Sequence, residues 1–337
     1  MLNQSKGKFN KKVIAYIGLI SVMLVWGISP ILTGSLYEGG RNSASITSFA
    51  TSIFAMISLF FICIPHLKKL NKSYLKIAIP TGLFNSTASI LQKIGLQYST
   101  PTQYAFLENL SCVIVPILLF IFIKKKPGIF TILASVICLA GSFILTGMIT
   151  SGFSLGIGEI LCALAGIFYG VNIAGTGCFA KKLYAPLYVF IQMCVQVVVS
   201  LITALALNFI SVNGTPLEAI AFSWKFTDLL IIFASGVFFT AICWVIRTNV
   251  MKYVATTAVA IIMPFSAVVT GIVSVIRGTD VLSLNLILGA VLGLIAAILS
   301  GFGDRIEELR EEKKKKAEQT TEQNIETIEL EENKKAE

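Results

Sequence analysis

Apolar runs of about 20 residues, each long enough to cross a hydrocarbon core of about 30 Å as a helix, follow one another along the chain with short polar breaks between them. They fall at approximately residues 13–34, 45–65, 75–97, 101–123, 128–149, 156–179, 185–210, 227–246, 254–276 and 282–302. Each run is continuous, without period-two alternation, so the pattern predicts helices and excludes a membrane barrel. The expected fold is an all-α polytopic membrane protein of ten transmembrane helices.

The breaks alternate in charge. Lys6, Lys8, Lys11 and Lys12 precede the first run, Lys68, Lys69, Lys72 and Lys76 fill the second connection, and Lys124, Lys125 and Lys126 the fourth. Lys181 and Lys182 lie in the sixth, Arg247 and Lys252 at the eighth, whereas the odd-numbered connections hold only Arg41, Lys225 and Arg277. Short cytosolic loops retain Lys and Arg, so both termini are expected in the cytosol of a cell (plasma) membrane, and the Lys- and Ile-rich composition fits a bacterium. Composition agrees: 55% apolar, 13% charged and a mean hydropathy of +0.82 exclude a soluble domain. The net charge of +9 is explained by orientation, so no nucleic-acid partner is expected. Val13–Leu32 exceeds the usual apolar length of a cleaved leader and is read as a span. Residues 304–337, with 8 basic and 12 acidic residues, form a charged cytosolic tail. Glu311–Lys315 and Glu312–Lys316 extend the last helix as i,i+4 pairs, and disorder is expected from Ala317.

The chain is internally duplicated. Gly82-Leu-Phe matches Gly236-Val-Phe, and Lys93 matches Arg247. Tyr98 then pairs with Tyr253, and Trp26-Gly27 with Tyr169-Gly170. A unit of five helices is odd, so the second copy enters the bilayer upside down, a construction of secondary transporters whose solute site lies at the repeat interface. The expected organisation is a basic N-tail (1–12), a first five-helix repeat (13–149), an inverted second repeat (156–303) and the tail.

These residues resemble the drug/metabolite transporter superfamily in its EamA-type ten-helix form. Trp26-Gly27, the segment Gly95-Leu96-Gln97-Tyr98-Ser99-Thr100, and Phe106 followed by Pro116 carry the likeness. Tyr253-Val-Ala-Thr-Thr ahead of Pro264, then Asp280, repeats it. Met263 stands where the family often has Glu, and an Arg common in span two is absent. The resemblance implies a secondary transporter with a central cavity lined by helices one, three, four, six, eight and nine.

Lys93, Glu108 and Glu159 are the ionisable residues within spans, and such residues are functional candidates by default. Glu108, sharing a face with Tyr104 and Ser111, is the first candidate for contacting a solute amine or carrying a coupling proton, with a structural pair to Lys93 as the alternative. Lys93 and Arg247 read as helix-end cations, Arg247 near the inner surface, and Glu159 as a helix-dipole acid. Thr81, Asn85, Ser89 and Gln92 form one polar face of span three, read as a pathway. Gln192, Gln196, Ser200 and Thr203 form a similar face of span seven, read as packing. Trp26 with Ser29 and Thr33, Trp244 with Thr240, Tyr104 and Tyr169 are candidate pocket walls. Gly166, Gly170, Ala174 and Cys178 allow close helix approach, and Pro116 and Pro264 are candidate hinges.

Seven cysteines without a CxxC pair and a single histidine, His66, give no metal or cofactor expectation, and no cluster supports an enzyme. The expected function is secondary transport of a small polar metabolite, such as an amino acid or amine, by alternating access. A channel-like or scaffolding membrane protein is the alternative. The expected partners are the small-molecule substrate and the lipid bilayer, with a coupling proton and a second copy of the chain (a homodimer) as candidates.

Overall fold

The computed structural model describes residues 2–99, 101, 104, 107–124, 126–145, 156–212, 215–216, 218–278, 283–303, 306 and 309. The expectations for Thr100, Phe106, Asp280, the pairs Glu311–Lys315 and Glu312–Lys316, and the tail beyond Ala317 lie outside these residues.

The elements are α1 (Leu2–Tyr37), α2 (Ala44–Cys63), α3 (Lys72–Tyr98), α4 (Glu108–Ile123), α5 (Ile129–Leu145), α6 (Ile157–Phe179), α7 (Ala185–Phe209), α8 (Phe226–Val250), α9 (Thr256–Ile276) and α10 (Leu284–Gly303). The fold is all-α, as expected, with one two-residue pairing in a connection. Ser211–Val212 pairs antiparallel with Thr215–Pro216 in the connection after α7. Among the described residues seven helices (α1, α2 and α6–α10) are long and apolar enough to cross a membrane. The apolar helices α4 and α5 are shorter, while α3 has the length but carries a polar face.

Helix ends follow local chemistry. Asn71 Oδ1 accepts from the backbone N–H groups of Ser73 at 3.0 Å and Tyr74 at 3.3 Å, starting α3. Lys124 turns left-handed at φ 53° and ends α4. The start of α2 is capped from far along the chain: Glu218 accepts from Ala44 N at 2.6 Å and Ser45 N at 3.3 Å, and also from Ser45 Oγ. Beside it, both carboxylate oxygens of Asp228 accept from Arg41 Nη1, at 2.9 and 3.0 Å.

Burial is inside out. Phe61, Ile121, Val136, Ile202 and Ile298 are exposed, while Ser48, Asn85, Asn172, Gln192, Arg247 and Thr270 are buried. A soluble fold does the reverse. Large apolar side chains facing outward around a polar centre suit lipid contact, with backbone groups satisfied inside helices. This is a multi-pass membrane protein.

The polar face of α3 explains its sequence. That helix packs chiefly on α6 and α7, and α8 correspondingly on α1 and α2. Helix α4 lies against α6, α9 against α1, α2 against α7, and α4 against α9. Thr81 and Tyr188 hydroxyls meet at 2.7 Å, Thr176 and Tyr188 at 2.9 Å, and Gln192 Nε2 donates to both Thr81 Oγ1 and Tyr188 at 3.0 Å. One end of the α3–α6–α7 junction is thus zipped shut by hydrogen bonds. The other end opens into a cavity.

Candidate functional site

The cavity holds about 880 Å³ of space between atoms, counted with the open solvent at its mouth. Its walls come from α1, α2, α3, α4, α6, α7, α8 and α9. Trp26, Asn85, Ser89, Gln92, Lys93, Tyr104, Glu108, Tyr169 and Trp244, the candidates singled out from the sequence, all line it. Ser29, Thr33 and Thr240 join them.

Glu108 opens α4 in a tight 3-10 turn, Glu108–Leu110. Its neighbour across the interface is Gly166 of α6, where an added Cβ would come 2.6 Å from Leu107 O and 3.2 Å from Glu108 Cα. The small-residue ladder of α6 therefore sets how close the acid sits. Gln92 Nε2 donates to Glu108 Oε2 at 2.7 Å, and Tyr169 OH donates to Gln92 Oε1 at 2.8 Å. The Tyr169 ring lies 5.9 Å from Trp244, and Trp244 lies 5.6 Å from Trp26, centroid to centroid. Trp26 Nε1 donates to Phe239 O at 2.7 Å, tying α1 to α8. An acid, an amide and three aromatic rings thus form one connected wall.

The structural pair of Glu108 with Lys93 is not formed. Lys93 Nζ donates to Thr51 Oγ1 at 2.8 Å instead, because the acid is held by Gln92. Arg247 is the larger correction. It is not an anchor at a helix end: its side chain is 0% exposed, borders the cavity, and lies with Cζ 3.8 Å from the Trp244 ring centroid. Its Nη2 donates to Asn172 Oδ1 at 2.8 Å, and Asn172 Nδ2 donates to Thr81 O at 2.9 Å. The signal was present in the sequence. Thr240, Trp244 and Arg247 recur at i, i+4 and i+7 and so share one helix face.

The two polar stripes divide differently from expectation. Thr81 belongs to the zipped end. From α7, Gln192 packs there, but Gln196 reaches the cavity, accepting from Asn85 Nδ2 and donating to Ser89 Oγ, each at 3.2 Å. Ser200 and Thr203 bond back to their own helix. Glu159 sits in the first turn of α6, off the cavity. Of the candidate hinges, Pro264 lies at a break in α9, between Thr256–Ile262 and Phe265–Ile276. Pro116 lies within an uninterrupted helix, Ser111–Ile123. Unforeseen in the sequence is a π-helical stretch of α8, Ser235–Ile242, directly before Trp244; such segments are frequent at functional sites.

Comparison with known proteins adds identity to geometry. Residues 13–147 match the EamA-like transporter family. An uncharacterized transporter of Archaeoglobus fulgidus is 24% identical over 290 residues, covering 86% of each chain. A protein of known crystal structure superposes at a TM-score of 0.65 with 13% identity, over 87% of this chain and 99% of its own, a likeness of fold alone. With its polar cavity inside an apolar shell, the chain is a membrane protein whose residues 13–147 are similar to EamA-like transporters.

Proposed function

We propose that the chain is a secondary transporter that carries a small polar metabolite by alternating access through the cavity, between two inverted five-helix repeats with both termini in the cytosol. The carrying observation is the cavity itself: one acid, two cations and aromatic walls, buried among helices whose outer faces are apolar. Charges at membrane depth are costly and are kept for solute or ion handling.

Helix packing supports the repeat. Exchanging each helix n for n+5 turns α3 on α6 into α8 on α1, α3 on α7 into α8 on α2, and α4 on α6 into α9 on α1, all of which occur. Individual residues follow. A Cβ on Gly27 would strike Val269 and Ser266 of α9, and one on Gly170 would strike Ile114 and approach Ser111 of α4. The register that pairs Tyr98 with Tyr253 also pairs Ile114 with Val269 and Ser111 with Ser266. Under the same register Glu108 corresponds to Met263, so one repeat supplies the acid and the other an apolar partner on the same cavity. Glu108 is the solute amine contact or proton carrier, and Pro264 a pivot between the halves of α9.

Purified protein in liposomes tests this reading. Radiolabelled metabolites should accumulate by counterflow with saturable kinetics, relative to protein-free vesicles. Flux that rises linearly with concentration would favour the channel-like alternative, and absence of flux across a broad metabolite panel would favour a scaffold.

A further inference from the structure

Resting on that reading of the cavity, we propose that Arg247 receives a carboxylate of the transported solute, so that the solute is an acid or amino acid and not a simple amine. A guanidinium offers five N–H donors, and here Asn172 Oδ1 takes one of them. Nε and Nη1 are buried and have no hydrogen-bond partner. Unpaired buried donors are costly, and more so on a charged group. With one Nη2 hydrogen engaged by Asn172, one edge of the fork, Nε with Nη2 or Nη1 with Nη2, can still offer two parallel N–H groups to a carboxylate. The cation–π contact with Trp244 orients the plane but leaves those donors unmet. Both nitrogens are closed to solvent, so a carboxylate reaches them as the rings beside them shift.

Charge balance points the same way. Among the described cavity residues, Lys93 and Arg247 face a single acid, Glu108. An amine would add a further positive charge to a site already one in excess, in a medium that penalises unbalanced charge. A carboxylate offsets the excess. An amino acid does so at Arg247 while its ammonium faces Glu108 across the Gln92–Tyr169–Trp244 wall.

The test uses full-length protein in detergent and thermal unfolding, since a ligand of the folded state raises Tm. The probes are matched sets built on methyl, isobutyl and benzyl groups, each as amine, carboxylic acid, amino acid and phosphate ester. In at least one set the acid and the amino acid should raise Tm and change tryptophan emission, while the amine and phosphate ester do neither. Arg247→Lys keeps the charge but loses the fork, and should need about tenfold more acid for the same shift. Response to amines alone, to phosphate esters ahead of acids, to none of the acids, or an unchanged acid response in Arg247→Lys overturns the proposal. Should that variant not fold, the wild-type ranking decides. Acid binding without flux in liposomes would keep the carboxylate site and remove the transport reading; amine flux without acid binding would do the reverse.

Discussion

Asn172 of α6 supplies the protein acceptor for Arg247 of α8, Nη2 to Oδ1 at 2.8 Å, with both side chains fully buried. The bond joins α6 to α8 at the point where the zipped end of the α3–α6–α7 junction gives way to the cavity. Removing one partner of a buried charged contact typically costs about 3 kcal/mol or more, because the other is left uncompensated.

Asn172→Leu should therefore lower stability by about 3 kcal/mol, read as a lower unfolding midpoint. Adding Arg247→Met should recover part of that loss, because an apolar pair leaves no stranded charge. A double variant less stable than Asn172→Leu alone would show that Arg247 is satisfied some other way.

Glu108→Gln keeps an oxygen that can accept from Gln92, so the hydrogen-bonded wall survives. The protein should unfold at nearly the same temperature while solute flux falls by about tenfold or more, as befits loss of a charge-assisted contact. Unchanged flux with unchanged pH dependence would remove Glu108 from the mechanism.

Gly166→Val forces atoms against Leu107 O and the backbone of Glu108. Overpacking of this kind costs about 1–3 kcal/mol, and it displaces the acid. Stability and flux should fall together. Equivalent enlargement at Gly34, which has open space beside it, should leave both nearly intact.

In a cysteine-free background, Lys182→Cys and Trp224→Cys should react with an impermeant maleimide from opposite sides of the membrane, Lys182→Cys from the cytosol. Both positions are exposed. Labelling of both from one side would contradict the inverted arrangement.

Much of this architecture was legible in the residues. The apolar runs gave the helices, and the i, i+4, i+7 spacing of polar side chains in α3 gave the cavity wall at Asn85, Ser89 and Gln92. Less legible were contacts set by tertiary geometry. Arg247 near a helix end reads as an anchor until α6 brings Asn172 to it. Gln192 and Gln196 share one face, yet where α3 diverges from α7 decides which packs and which meets the cavity. Nor does local sequence announce that Glu218, 173 residues beyond Ser45, caps α2.

Access to the cavity is the most direct measure of the central claim. Ser89→Cys, alone in a cysteine-free chain, places one thiol on the cavity wall. In oriented vesicles it should react with an impermeant maleimide added from either side, and saturating solute should slow both reactions. Reaction from one side only, or at rates indifferent to any transported solute, would contradict alternating access through this cavity.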